Sequence, residues 1–290
     1  MSALHFRRFF LLAFIATCNL FPAHGQAASH SWIQLTYHAQ VPQQTREHAE
    51  RCLDIVAELL TEYEIYLPQP ISLIVTADTE GYIQTLMSYG YSRADAEIKA
   101  ANSAGVSLNQ RPVILIKGTE ALFQNQQEIF RVLPHEIFHQ VQRQWGRLDT
   151  VTWLVEGAPE LFRIKALSRA GFGPEALFLI LEEQKIRHGK MLPSALQLGS
   201  KDYHVFSQLA AQKYPVYAMS TLMLNKLVED VGFEKLVYFY QLLHHGVSPE
   251  KAFQSVFRVP MGWFLKDMDI YFQQLVSLTP LTGAASSGQK

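Results

Sequence analysis

His135-Glu136-Ile137-Phe138-His139 sets two imidazoles four residues apart, with a carboxylate directly after the first. On a helix, that spacing puts both rings on one face a turn apart, where they can reach the same ion. Glu136 then faces a water held by that ion and can take its proton. Zinc suits such a donor set and lowers the pKa of its water to about 7. A solvated helix carrying two incidental histidines is the plainer reading of the pentapeptide alone. Against it, Ile137, Phe138 and Val141 make the segment apolar, and partly buried polar groups need partners.

A catalytic zinc takes three protein ligands and keeps one position open. Downstream stands Trp153-Leu154-Val155-Glu156-Gly157-Ala158-Pro159-Glu160. The chain between His139 and Glu156 is long enough for one helix to end near Gly146, a loop to turn and a second helix to return. Glu156 is therefore the expected third ligand. Glu160 lies one turn beyond on the same face, where it can accept the free ring N–H of a ligating histidine. A pair of exposed helix acids fits poorly between Trp153-Leu154-Val155 and Leu161-Phe162.

These residues need elements to hold them. Trp32–Tyr37 and Ile71–Val75 read as strands, with helices over Thr45–Tyr63 and Glu80–Tyr89. Val106–Leu108 and Val113–Ile116 suggest a hairpin, although no Asn-Gly turn joins them. After Gly118 the strand signals stop. Helical spacing then covers Glu120–Trp145, Trp153–Ala170, Pro174–His188, Tyr203–Asp230, Phe233–His244 and Met261–Leu278. The fold class expected is α+β: a small N-terminal mixed sheet with helices, then a mostly helical C-terminal half. Residues 28–278 form one expected domain, in which 28–145 is the sheet-containing lobe with the zinc-binding helix and 146–278 the helical lobe.

His135-Glu136-x-x-His139 followed by Trp153-Leu154-Val155-Glu156-Gly157 resembles the gluzincin zinc metallopeptidases, specifically the compact peptidase MA-like families. Weaker likenesses continue through Tyr217–Gly232 and Gly246–Ala252 to the last helix near Trp263. The resemblance implies a zincin-like fold with one zinc ion per chain. His135, His139 and Glu156 would be ligands, Glu136 the general base, and Glu160 the outer partner of a ligand. It also implies a tyrosine or histidine that steadies the oxyanion. Tyr217 is at the matching position, with Tyr214 and His204 as alternatives.

The chain departs from that pattern at two prolines. Pro134 precedes His135 directly, so the helix is expected to start or kink there. Pro159 is comfortable in a first helical turn, which places the start of the Glu156 helix close to Val155. Related aminopeptidases bind the substrate amine with the glutamate of a Gly-x-x-Glu-Asn strand. Gly105-Val106-Ser107-Leu108-Asn109 has leucine there, which argues for endopeptidase rather than aminopeptidase action.

Arg7 and Arg8, an apolar run from Phe9 to Phe21 and the small-residue region ending Gly25-Gln26-Ala27 describe a signal peptide over residues 1–27. The run is short of the ~20 residues of a membrane span, so an exported protein, periplasmic or secreted, is expected, with no stable span after cleavage. Residues 279–290 read as a flexible tail. The chain has 25 Lys+Arg against 26 Asp+Glu, which leaves no footprint for nucleic acid. Two cysteines exclude a disulfide framework, and Cys52 falls on the apolar face of its helix. His244-His245-Gly246 reads as a helix end rather than a second metal site. Tyr238-Phe239-Tyr240 and Phe253, Phe257 and Phe264 read as core.

The function expected is hydrolysis of peptide bonds in a peptide or protein substrate. The competing expectation is an envelope binding or scaffold protein that keeps the zincin fold without turnover.

Overall fold

The computed structural model describes residues 31–145, 151–189 and 191–277. The signal peptide (with Cys18) and the 279–290 tail expected from the sequence lie outside these residues. Four strands, β1 (Ile33–Tyr37), β2 (Ile71–Val75), β3 (Gly105–Ser107) and β4 (Val113–Ile116), form one sheet in the order β1-β2-β4-β3. The first three in that order run parallel, and β3 pairs antiparallel with β4 at the edge. The parallel pairing needs crossovers, supplied by α1 (Gln43–Glu62) and by α2 (Thr79–Ser88) with α3 (Arg93–Asn102).

All four residues of β4 are buried, and the period-2 alternation divides them. Ile114 and Ile116 join the main core with α1, while Val113 and Leu115 pack with Tyr82, Leu86, Ala96 and Ala100 of α2 and α3. Cys52 is fully buried and unpaired on α1. The small mixed sheet followed by helices is the architecture expected from the sequence.

The helical half comprises α4 (Glu120–Gln124), α5 (Gln126–Trp145), α6 (Thr152–Arg169), α7 (Glu175–Arg187), α8 (Ala195–Leu198), α9 (Tyr203–Ala211), α10 (Val216–Glu229), α11 (Glu234–His244), α12 (Pro249–Phe257) and α13 (Met261–Ser277). Two helices expected to be continuous are divided. Glu120–Trp145 breaks at Asn125. Tyr203–Asp230 breaks where Lys213 takes φ +63° and Pro215 cannot continue the first helix. Helices α3, α8 and α12 stand where none was expected. Tyr238 is half exposed rather than core, while Phe239, Tyr240, Phe253, Phe257 and Phe264 are buried. His245 caps α11 and Gly246 follows at φ +81°, as a helix end requires. Among the described residues no helix is long and apolar enough to cross a membrane.

Neither proline marks the start of its helix. Helix α5 starts at Gln126 and runs through Pro134, whose ring is buried. Helix α6 starts at Thr152 and runs through Pro159. The Val155 carbonyl, left without a residue-159 N–H, accepts instead from Gln142 Nε2 at 2.9 Å. That side-chain bond lets the helix begin a turn earlier than a proline at this place suggests.

Three close approaches assemble α5, α6 and α10 around the sheet edge. A Cβ on Gly105 would lie 2.7 Å from Val132 Cγ1 and 3.2 Å from Glu136 Cγ, so α5 rides directly on β3. A Cβ on Gly157 would lie 2.5 Å from the Ser220 carbonyl oxygen, so α6 and α10 touch backbone to side-chain-free backbone. Trp153, fully buried on α6, stacks on Phe264 of α13 at 5.5 Å between centroids. One continuous core runs from Ile33 on β1 to Leu275 on α13.

Candidate metal centre

Helix α5 presents His135, Glu136 and His139 along one face, and α6 crosses it to bring Glu156 and Glu160 over them. Histidine Nε2 atoms of residues 135 and 139 are 3.1 Å apart. Glu156 Oε2 lies 3.8 Å from the first and 3.6 Å from the second. Three donors at 2.0–2.1 Å from a tetrahedral ion stand about 3.3–3.4 Å from one another, so these three atoms span one face of such a site. They are a group that could hold a metal ion.

The outer hydrogen bonds fix what each atom offers. His135 Nδ1 is 3.0 Å from Glu160 Oε1, so it carries a proton, and Nε2 is the nitrogen turned toward His139 and Glu156. His139 Nδ1 is 2.9 Å from Gln142 Oε1. The Gln142 amide cannot be turned over, because its nitrogen donates to the Val155 and Leu154 carbonyls and to the Tyr240 hydroxyl. His139 therefore also holds its proton on Nδ1. With both Nδ1 atoms committed outward, the two Nε2 atoms and a carboxylate oxygen converge on one point, where they share a proton or could hold a metal ion.

The surrounding carboxylates favour positive charge at this point. Burial opposes charge on His135, yet the hydrogen bond it donates to Glu160 and the fields of Glu160, Glu136 and Glu156 push it up to about 9, so without an ion the ring holds both protons at neutral pH. Burial would raise Glu156, but the two histidines hold its carboxyl below the usual range. Glu160 is brought down to about 2 against its burial, by Arg163 and His135. Behind Glu160, Arg163 bonds its other oxygen and lies 3.6 Å from buried Glu182, which Lys185 meets at 2.7 Å. The ladder holds the Glu160 carboxylate in one orientation. Glu160→Gln removes its charge and is expected to weaken zinc binding by about 10- to 100-fold in a chelator competition. Unchanged affinity would assign Glu160 to Arg163 alone.

No protein-family model matches the chain, and no curated protein matches it in sequence.

Glu136 sits beside the ligands against Gly105 of β3, and among the described residues it has no ion pair. Its carboxylate is thus uncommitted. Tyr217, in the first turn of α10, is partly exposed and hydrogen-bonds to Tyr203. Burial and the charge of Glu156 both raise its hydroxyl well above the usual range, so it stays a donor. Tyr203, the first residue of α9, donates to Glu156 and is raised further by burial and that carboxylate. The structure therefore brings together all six residues singled out in the sequence: His135, Glu136, His139, Glu156, Glu160 and Tyr217. Of the alternatives, Tyr214 packs on the main core and His204 hydrogen-bonds to Gln208 in solvent.

Sequence reasoning missed Tyr203, Gln142 and Tyr240. Tyr203 stands on a separate helix that the sequence merged with α10. Gln142 follows His139 by three residues, on the same side of α5, and that spacing was the available signal. Tyr240 gave none.

Proposed function

We propose that the chain is an exported zinc-dependent peptidase of gluzincin type with a zincin-like fold, binding one zinc ion per chain through His135, His139 and Glu156. The observation that carries the reading is the convergence of three candidate ligand atoms within 3.1–3.8 Å, beside an uncommitted carboxylate. When bound, zinc supplies Lewis acidity, lowering the pKa of a water and polarising a carbonyl.

The protein's own groups do the rest. Glu136 takes the proton of the attacking water and returns it to the leaving amine. Tyr217 keeps its hydroxyl proton and donates a hydrogen bond to the oxygen that gains charge as the carbonyl is attacked. Tyr203 orients Tyr217 and bonds Glu156. Leu108, buried at the end of β3, offers no carboxylate for a substrate amine, which favours action within a chain over aminopeptidase action. The basic head and apolar run at residues 7–21 support export.

Metal analysis by mass spectrometry tests the centre. Protein purified without chelator is expected to carry one equivalent of zinc, and His139→Ala none. Absence of zinc from the wild type, even after reconstitution, would overturn the reading in favour of a binding protein on the same fold.

A further inference from the structure

Proline in the interior of a helix costs about 3 kcal/mol, yet α6 carries one within a turn of Glu156. Pro159 has no N–H for the Val155 carbonyl, and this carbonyl is the one Gln142 Nε2 meets at 2.9 Å. The same nitrogen is 2.8 Å from the Tyr240 hydroxyl, which itself donates to the Leu154 carbonyl at 3.1 Å. Gln142 and Tyr240 are completely buried. With its nitrogen committed to three acceptors, Gln142 has only Oε1 to turn to His139 Nδ1.

We infer that Pro159, Gln142 and Tyr240 form one positioning device, in which the missing N–H of Pro159 frees a carbonyl to orient Gln142, and Gln142 selects the His139 tautomer that aims Nε2 at the metal centre. None of the three touches the reacting atoms. The device joins α5, α6 and α11, so it also sets the distance between His139 and Glu156. An intact α6 would satisfy Val155 with its own backbone and leave the amide held by Leu154 and Tyr240 alone, and so easier to turn over. Turned over, Gln142 would face His139 with a donor, the proton would move to Nε2, and that ligand atom would be lost from the centre.

The inference rests on the metal reading for its purpose, but its first readout does not need metal. Long-range 1H–15N spectra of the metal-free protein are expected to show His139 protonated at Nδ1 in the wild type. Pro159→Ala and Gln142→Leu are each expected to shift it toward a tautomer mixture. Zinc affinity, measured by chelator competition, should fall about 10- to 100-fold in Gln142→Leu and by a smaller factor in Pro159→Ala. Gln142→Glu keeps an acceptor toward Nδ1 and is expected to recover the wild-type tautomer.

Pro159→Ala separates this role from a structural one. It restores a helix hydrogen bond and is expected to raise the melting temperature of the metal-free protein while weakening zinc binding. A raised melting temperature with unchanged tautomer and unchanged zinc affinity would overturn the inference, as would a wild-type tautomer in Gln142→Leu. A wild type that binds no zinc but shows the tautomer shift in both variants would sink the metal reading and leave the device standing.

Discussion

Glu136→Gln is expected to keep its zinc and to hydrolyse peptides about 10²- to 10⁴-fold more slowly than the wild type. An amide cannot take the proton of the attacking water, whereas it fills the space of the carboxylate against Gly105 without disturbing β3. Among the described residues Glu136 supports no ion pair, so the substitution breaks nothing that holds α5 in place. Metal content by mass spectrometry, beside turnover of a fluorogenic peptide library, reads both halves of the expectation. Full hydrolysis in a zinc-loaded variant would remove Glu136 from the mechanism. Zinc without turnover in the wild type would favour the binding-protein alternative.

Gly157→Ala tests the scaffold at its tightest point. Alanine is the better helix former by about 1 kcal/mol, so propensity alone predicts a small gain. The new methyl, however, would stand 2.5 Å from the Ser220 carbonyl oxygen and 2.9 Å from its carbon. These are backbone atoms of α10, which cannot swing aside as a side-chain end can. Overpacking of this kind costs about 1–3 kcal/mol or more, and here the clash wins. A melting temperature lower by several degrees is expected, at about 2–4 °C per kcal/mol for a chain of this size class. Separation of α6 from α10 also carries Tyr217 away from Glu156, so hydrolysis should fall further than zinc binding does. An unchanged or raised melting temperature would show that α10 shifts freely.

What could be read from the sequence was local in character. The spacing of His135 and His139 reports a shared helix face whatever the rest of the chain does. The apolar neighbours of Glu156 and Glu160 likewise mark buried acids that need partners. Short runs rich in β-branched residues located the four strands, but beyond the β3–β4 hairpin they are silent on which strands pair, so the order β1-β2-β4-β3 emerged only in three dimensions. Helix α3, with few apolar residues, gave little period to detect. The prolines misled for a related reason. A sequence shows that Pro159 lacks a donor, not that Gln142 on another helix supplies one to the orphaned carbonyl. Tyr203 and Tyr240 come to the centre through tertiary packing, which no spacing along the chain encodes.

The core that runs unbroken from Ile33 to Leu275 includes Phe138 of α5 and Leu154 and Phe162 of α6. The helices that bear His135, His139 and Glu156 are therefore part of the core itself. On the proposed reading, release of the ion and unfolding of the chain draw on one free energy: each tenfold excess of ligand over its dissociation constant adds about 1.4 kcal/mol to the folded state. A chelator is then expected to act as a mild denaturant, and a heating curve to double as a titration of the metal.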